Sequence, residues 1–137
     1  VPAPGSFMAL ERRTFAADPS RVAAATTAFA QGLDSARVAA ALKHFPGIGR
    51  ATRNTDRTAV VLPATLAELT RTDLLPFRRA IAAGVSMVMI SNASYPALDA
   101  KPAAWSPRIQ ALLRSTLGFK GVTITDSLDG AAARVAS

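Results

Sequence analysis

Val122-Thr123-Ile124-Thr125-Asp126-Ser127 is a run of β-branched residues that stops at a carboxylate. Branched side chains favour a pleated strand. An abrupt change to hydrogen-bonding groups is how a buried strand reads when its carboxyl end opens into a cleft. A second stretch repeats the pattern: Val38-Ala39-Ala40-Ala41-Leu42 runs into Lys43-His44-Phe45-Pro46-Gly47-Ile48-Gly49-Arg50, which holds the chain's single histidine. A third apolar run, Val85-Ser86-Met87-Val88-Met89-Ile90-Ser91, ends at Asn92.

Helical patterns separate these runs. Asp18-Pro19-Ser20 opens a helix, with Asp18 as N-cap and Pro19 in the first turn. Val22, Ala25, Thr26, Phe29 and Leu33 form its apolar face, and Gly32 with Asp34-Ser35 marks its end. Residues 1–15 read as irregular. A polar loop from Arg50 to Arg57 leads to an extended Val60–Pro63. Thr65 then caps a helical stretch that breaks near Pro76 and closes at Gly84. Residues 92–105 read as loop, Ser106-Pro107 starts a helix through Leu117, and another helix begins over Gly130–Ala136.

This alternation predicts an α/β fold of parallel strands with crossover helices. Three core strands are predicted, at 38–42, 85–91 and 121–126, whereas a closed TIM (β/α)8 barrel needs eight strands and roughly 250 residues. The expected architecture is therefore a partial barrel, with residues 1–137 forming one segment that lacks strands at both ends. Such a segment exposes sheet edges that a second copy could cover.

Composition narrows the class. At 137 residues the chain is long enough for one domain of ordinary size, and with 50% hydrophobic residues no stretch reads as disordered. No apolar run approaches the roughly 20 residues of a membrane span, and no targeting leader is legible at Val1. Without cysteine, disulfides and thiolate metal sites are excluded, while the compartment stays open. The charge of +7 comes from 16 basic residues, 13 of them Arg, scattered singly or in pairs. That scatter fits a solvated surface better than a nucleic-acid stripe.

Two chemical clusters remain. A carboxylate at the end of a buried strand, as Asp126 is placed, is costly unless hydrogen-bonded, paired or solvated by a cleft. The alternative is that Asp126 caps the following helix. Lys43 and His44 should point to different sides of their strand. They either present a cation and an imidazole to sugar hydroxyls or a carboxyl, or are an exposed strand end and a satisfied core histidine. Asp129 beside Gly130 reads as a turn residue.

Several motifs occur in order: Arg13-Thr14-Phe15 before Asp18-Pro19, Lys43 to Gly49, Asp73-Leu74-Leu75-Pro76-Phe77, Leu117-Gly118-Phe119-Lys120-Gly121-Val122, and Thr125-Asp126. The series resembles the barrel domain of glycoside hydrolase family 3, in particular the bacterial NagZ-type β-N-acetylglucosaminidases, over essentially the whole chain. The resemblance implies a retaining glycosidase acting on β-linked N-acetylglucosamine residues, such as those of peptidoglycan fragments. It implies Asp126 as the nucleophile that forms a covalent glycosyl intermediate. Arg13, Lys43 and His44 match residues that contact the bound sugar. No metal or organic cofactor is implied, because the chemistry needs carboxylates alone.

The chain departs from that pattern in its loop after the Pro-Gly turn. NagZ-type enzymes carry Asp-Ser-His there, whose histidine is the general acid/base; here the loop reads Arg53-Asn54-Thr55-Asp56-Arg57. Asn54 stands in the aspartate's place and Asp56 in the histidine's. Either Asp56 serves as the acid/base, or the acid lies elsewhere, or the chain belongs to a non-catalytic sugar- or partner-binding relative. An acid role for Asp56 needs a raised pKa, which nearby Arg53 and Arg57 would oppose. Asn92 stands where relatives often have histidine, and is a further candidate for substrate contact. Phe45-Pro46-Gly47-Ile48-Gly49 also resembles the hairpin of helix-hairpin-helix DNA-binding modules, which requires an amphipathic helix directly after the turn.

Overall fold

The computed structural model describes residues 1–130. Its centre is a parallel sheet of β1 (Ala41–Phe45), β2 (Met87–Ile90) and β5 (Val122–Thr125), in the order β1-β2-β5. Phe45 pairs with Ile90 and Ile90 with Thr125, so all three carboxyl ends lie along one lip. Main-chain bonds carry the alignment past the strands: Ser91 donates to the Phe45 carbonyl at 2.9 Å, and Asp126 to that of Ile90 at 3.2 Å. Residues 44, 91–92 and 126 thereby become neighbours.

The helices that build this frame are α1 (Phe7–Leu10), α2 (Pro19–Ser35), α3 (Leu66–Arg71), α4 (Leu74–Ala82) and α5 (Pro107–Ala111). Helix α4 packs on both α2 and β1. Phe45 and Phe77 meet edge to face at 5.1 Å in a core shared with Leu42, Val88, Ile90 and Leu69. The predicted caps hold: Asp18 accepts from Arg21 N, and Thr65 with Glu68 forms a reciprocal capping box.

Several boundaries are corrected. Residues 1–15 contain α1, capped by Ser6. The first strand runs from Ala41 to Phe45 rather than from Val38 to Leu42. Helix α2 reaches Ser35 and leaves through Arg37 at φ 58°, with Val38 N–H returned to the Leu33 carbonyl. That Schellman-type exit consumes the start of the apolar run, so Lys43 and His44 lie within the strand instead of after it. The break in the next helical stretch falls at Thr72-Asp73, not at Pro76. Pro76 sits in the first turn of α4, where its missing N–H has no intrahelical partner to lose.

Residues 92–105, expected as loop, contain a hairpin of β3 (Ser94–Tyr95) and β4 (Asp99–Pro102) and a short 3-10 turn. The helix after Ser106 changes at Leu112 into a π-helical turn through Thr116. Residues 50–65 hold no helix, so the helix-hairpin-helix pattern is absent. The helix expected over Gly130–Ala136 lies, apart from Gly130, outside the described residues. Two arginines are structural rather than merely solvated. Arg114 donates to the carbonyls of Phe119 and Gly121 at the entrance to β5, and Arg50 pairs with buried Asp73.

Candidate functional site

His44 and Asp126 project from the carboxyl ends of the two outer strands of the sheet. His44 Nε2 lies 3.5 Å from Asp126 Oδ2. Asp126 Oδ1 accepts from Ser127 N at 2.9 Å, a contact with its own neighbour rather than with the later N–H groups a helix cap engages. The histidine side chain is 5% exposed and the carboxylate 16%, so the imidazole is sealed while the carboxylate keeps access to solvent. A satisfied core histidine is not what is found: Nδ1 is buried without a partner among the described residues. An orphaned acceptor costs less than an orphaned N–H, which places the proton of neutral His44 on Nε2, facing Asp126.

Burial is the largest influence on His44 and pushes its pKa down from 6.5 to about 4; Asp126 opposes that shift, while Lys43 and Arg13 reinforce it. His44 is therefore neutral in the folded protein at pH 7. The unfolded chain binds the proton more readily, so stability is present above pH 6.5 and is lost as pH falls from there toward 4. Unfolding free energies at pH 7 and pH 4.5 should differ by about 2 kcal/mol less for His44→Gln than for the parent. Identical acid sensitivity in the two proteins would contradict this placement of the imidazole.

The turn that follows β1 is fixed from below. Gly47 has φ 140°, and a Cβ there would sit 2.5 Å from Asp73 Cβ. No other residue fits this turn without displacing backbone. Tyr95, fully buried, donates its hydroxyl to the Gly47 carbonyl at 2.9 Å, and burial pushes its phenol pKa well up. Leu62 N–H donates to Ser94 O and Ser94 N–H to Val60 O, both at 2.9 Å, fastening the outgoing loop to the hairpin. The lip is held by the loops after both β1 and β2.

Arg13, Lys43 and His44 line a cavity of about 280 Å3 whose remaining walls are mainly apolar, including Phe15, Phe29 and Phe77. Arg13 is exposed and stands over the Phe7 ring at 5.8 Å. Lys43 is exposed and His44 buried, the opposite pointing that strand alternation predicts. Asp56 is exposed, its N–H donating to Asn54 Oδ1 at 2.9 Å. Its backbone approaches the turn after β5: a Cβ on Gly130 would lie 3.5 Å from Asp56 Cα. Asn92 differs from the expectation of a substrate contact. It is fully buried, and its Nδ2 donates to the Ser127 carbonyl at 2.7 Å. The structure thus brings Arg13, Lys43 and His44 to one cavity, joins Asp126 to it through His44, and sets Asp56 and Asn92 against the turn after β5.

This arrangement offers a carboxylate beside cations and a neutral imidazole, at the open end of parallel strands. The profile of the glycosyl hydrolase family 3 N-terminal domain matches residues 7–136. The chain belongs to glycosyl hydrolase family 3. It is 43% identical over 129 residues to a β-hexosaminidase of Stenotrophomonas maltophilia, covering 93% of this chain and 38% of that protein. Among solved structures, a family 3 β-N-acetylglucosaminidase from Paenibacillus sp. superposes with a TM-score of 0.91 at 35% identity, over 96% of this chain and 26% of the other. NagZ from Neisseria gonorrhoeae gives 0.85 at 33%, over 93% and 38%. The chain therefore spans 38% of the length of that curated relative. The α/β architecture is that of part of the family's barrel. Among the described residues no helix is long and apolar enough to cross a membrane, and no cluster of His, Asp and Glu could hold a metal ion.

Proposed function

We propose that the chain is a segment of the catalytic barrel of a retaining β-N-acetylglucosaminidase, with Asp126 as nucleophile. The single observation that carries this reading is the Asp126 carboxylate, partly open to solvent, facing the buried His44 imidazole at 3.5 Å. Asp126 attacks the anomeric carbon from beneath the ring as the aglycone oxygen leaves with a proton. Water then opens the glycosyl ester with retention of configuration. Arg13 and Lys43 supply charged donors to the sugar, and such donors act most strongly where charge develops in the transition state; neutral His44 turns its one N–H toward Asp126. The apolar part of the cavity, bounded by Phe15, Phe29 and Phe77, is filled by further strands in the complete barrel, leaving the rim at Arg13 and Lys43 as sugar space. Those strands also cover the sheet edges that this segment exposes.

The relatives named above suggest the substrate class, a β-linked N-acetylglucosaminide, and the sequence resemblance extends it to peptidoglycan fragments. The test is hydrolysis of an aryl β-N-acetylglucosaminide by the protein expressed from its complete reading frame, followed by proton NMR. Release of the β-anomer first supports the assignment. Absence of cleavage, with N-acetylglucosamine still bound, would favour the sugar-binding alternative that the Asn54 and Asp56 substitutions raise.

We propose Asp56 as the carboxyl group for proton transfer because its backbone lies against the turn that follows Asp126, where a Cβ on Gly130 would be 3.5 Å from Asp56 Cα. Asp56→Asn should lower kcat/KM by about 10²-fold or more on an alkyl glycoside, whose leaving group needs protonation, and far less on a nitrophenyl glycoside. Equal losses on both substrates would remove Asp56 from that role.

A further inference from the structure

We infer that Asn92 is a positioning residue for the Asp126 carboxylate, acting through the peptide of Ser127. This rests on the reading of Asp126 as nucleophile and adds a residue that never touches the sugar.

The chain of contacts is short. Asn92 follows β2, is fully buried, and reaches across 35 positions of sequence to the Ser127 carbonyl at 2.7 Å. A carbonyl oxygen can only accept, so the amide nitrogen must be the atom that faces it. The same Ser127 residue donates its N–H to Asp126 Oδ1 at 2.9 Å, which leaves Oδ2 toward His44. Asn92 holds the carbonyl of Ser127, in the peptide that follows that residue, and Asp126 is held by the N–H of Ser127, in the peptide before it. Gly130 closes the knot. A Cβ there would meet the Ser127 carbonyl at 3.1 Å, Asn92 Nδ2 at 3.4 Å and Asp56 Cα at 3.5 Å. The loop that carries Asp56 therefore rests on the turn that Asn92 anchors, so one amide sets the relation between both acidic side chains.

A small displacement of a nucleophile costs far more in rate than in ground-state affinity, because bond formation requires near-attack geometry. Removing the donor should lower kcat while leaving sugar affinity nearly intact. Asn92→Leu, close in volume and without the N–H, should reduce kcat on a nitrophenyl β-N-acetylglucosaminide by about tenfold or more, with KM changed by less than about threefold. Asn92→Asp provides the second readout. Protonated, its carboxyl can donate to the Ser127 carbonyl; ionised, it repels it, and burial favours the protonated form. The ratio of Asn92→Asp to parental kcat should approach one at low pH and fall as pH rises, while the Asn92→Leu ratio stays flat.

Unchanged kcat in Asn92→Leu, a loss confined to KM, or a flat ratio for Asn92→Asp would each overturn the inference while the parent remained active. A parent that releases no nitrophenol would overturn the function reading itself, and the inference with it. If Asn92→Leu does not fold, the Asn92→Asp ratio decides alone.

Discussion

Asp126→Asn lowers turnover of a nitrophenyl β-N-acetylglucosaminide by about 10³- to 10⁵-fold, with the fold intact. The amide is isosteric and keeps an oxygen for Ser127 N–H, now 2.9 Å from Oδ1. What it loses is the charge that, on the proposed reading, attacks the anomeric carbon and forms a glycosyl ester. The loss should persist with activated leaving groups, because acid assistance is not what was removed. That separates it from Asp56→Asn, whose cost depends on the leaving group. A decrease below about tenfold would show that Asp126 is not the nucleophile.

Asp73→Ala should destabilise the protein by about 3 kcal/mol. Asp73 is 1% exposed, pairs through Oδ2 with Arg50, and has the Thr72 hydroxyl 2.6 Å from the same oxygen. Although it occupies the N-cap position of α4, it caps no helix N–H. Its carboxylate instead ties the start of the loop that leads to Asp56, and its Cβ fills the space that Gly47 leaves. The alanine variant keeps the Cβ beside Gly47 but strands the Arg50 charge and leaves the Thr72 hydroxyl without its carboxylate partner. Chemical unfolding reads the change directly, at unchanged denaturant slope. A shift below about 1 kcal/mol would make the pair an ordinary surface ion pair.

How much of this was legible in the sequence depended on the length of each signal. Met87–Ile90 and Val122–Thr125 are continuous apolar or β-branched runs, and both strands fall inside their predicted limits. Val38–Leu42 misled because three alanines fit helix, exit or strand equally, and the αL residue that decided the matter, Arg37, is of a type that seldom adopts that conformation. The hairpin of Ser94–Tyr95 with Asp99–Pro102 has strands too short to show alternation. From sequence alone Pro76 reads as a helix breaker, because position within a turn is invisible until the helix start is known.

The site divides along similar lines. The motifs that carry the family resemblance named Arg13, Lys43, His44 and Asp126; the shared lip of parallel strands brings His44 to Asp126, while Arg13 reaches the cavity of Lys43 and His44 from the segment after α1. The burial of His44 could not be read from a strand end expected three residues earlier. Nor could the role of Asn92: its partner lies 35 residues away, and identity alone does not tell a buried strut from a ligand contact.

The most direct measurement is to trap the sugar on the enzyme. A fluorinated N-acetylglucosaminyl donor with a good leaving group slows release of the glycosyl intermediate, and peptide mass spectrometry then locates the bound sugar. The adduct is expected on the Asp126 side chain. A sugar attached to Asp56 or to any other residue, or continued turnover with no adduct formed, would contradict the assignment.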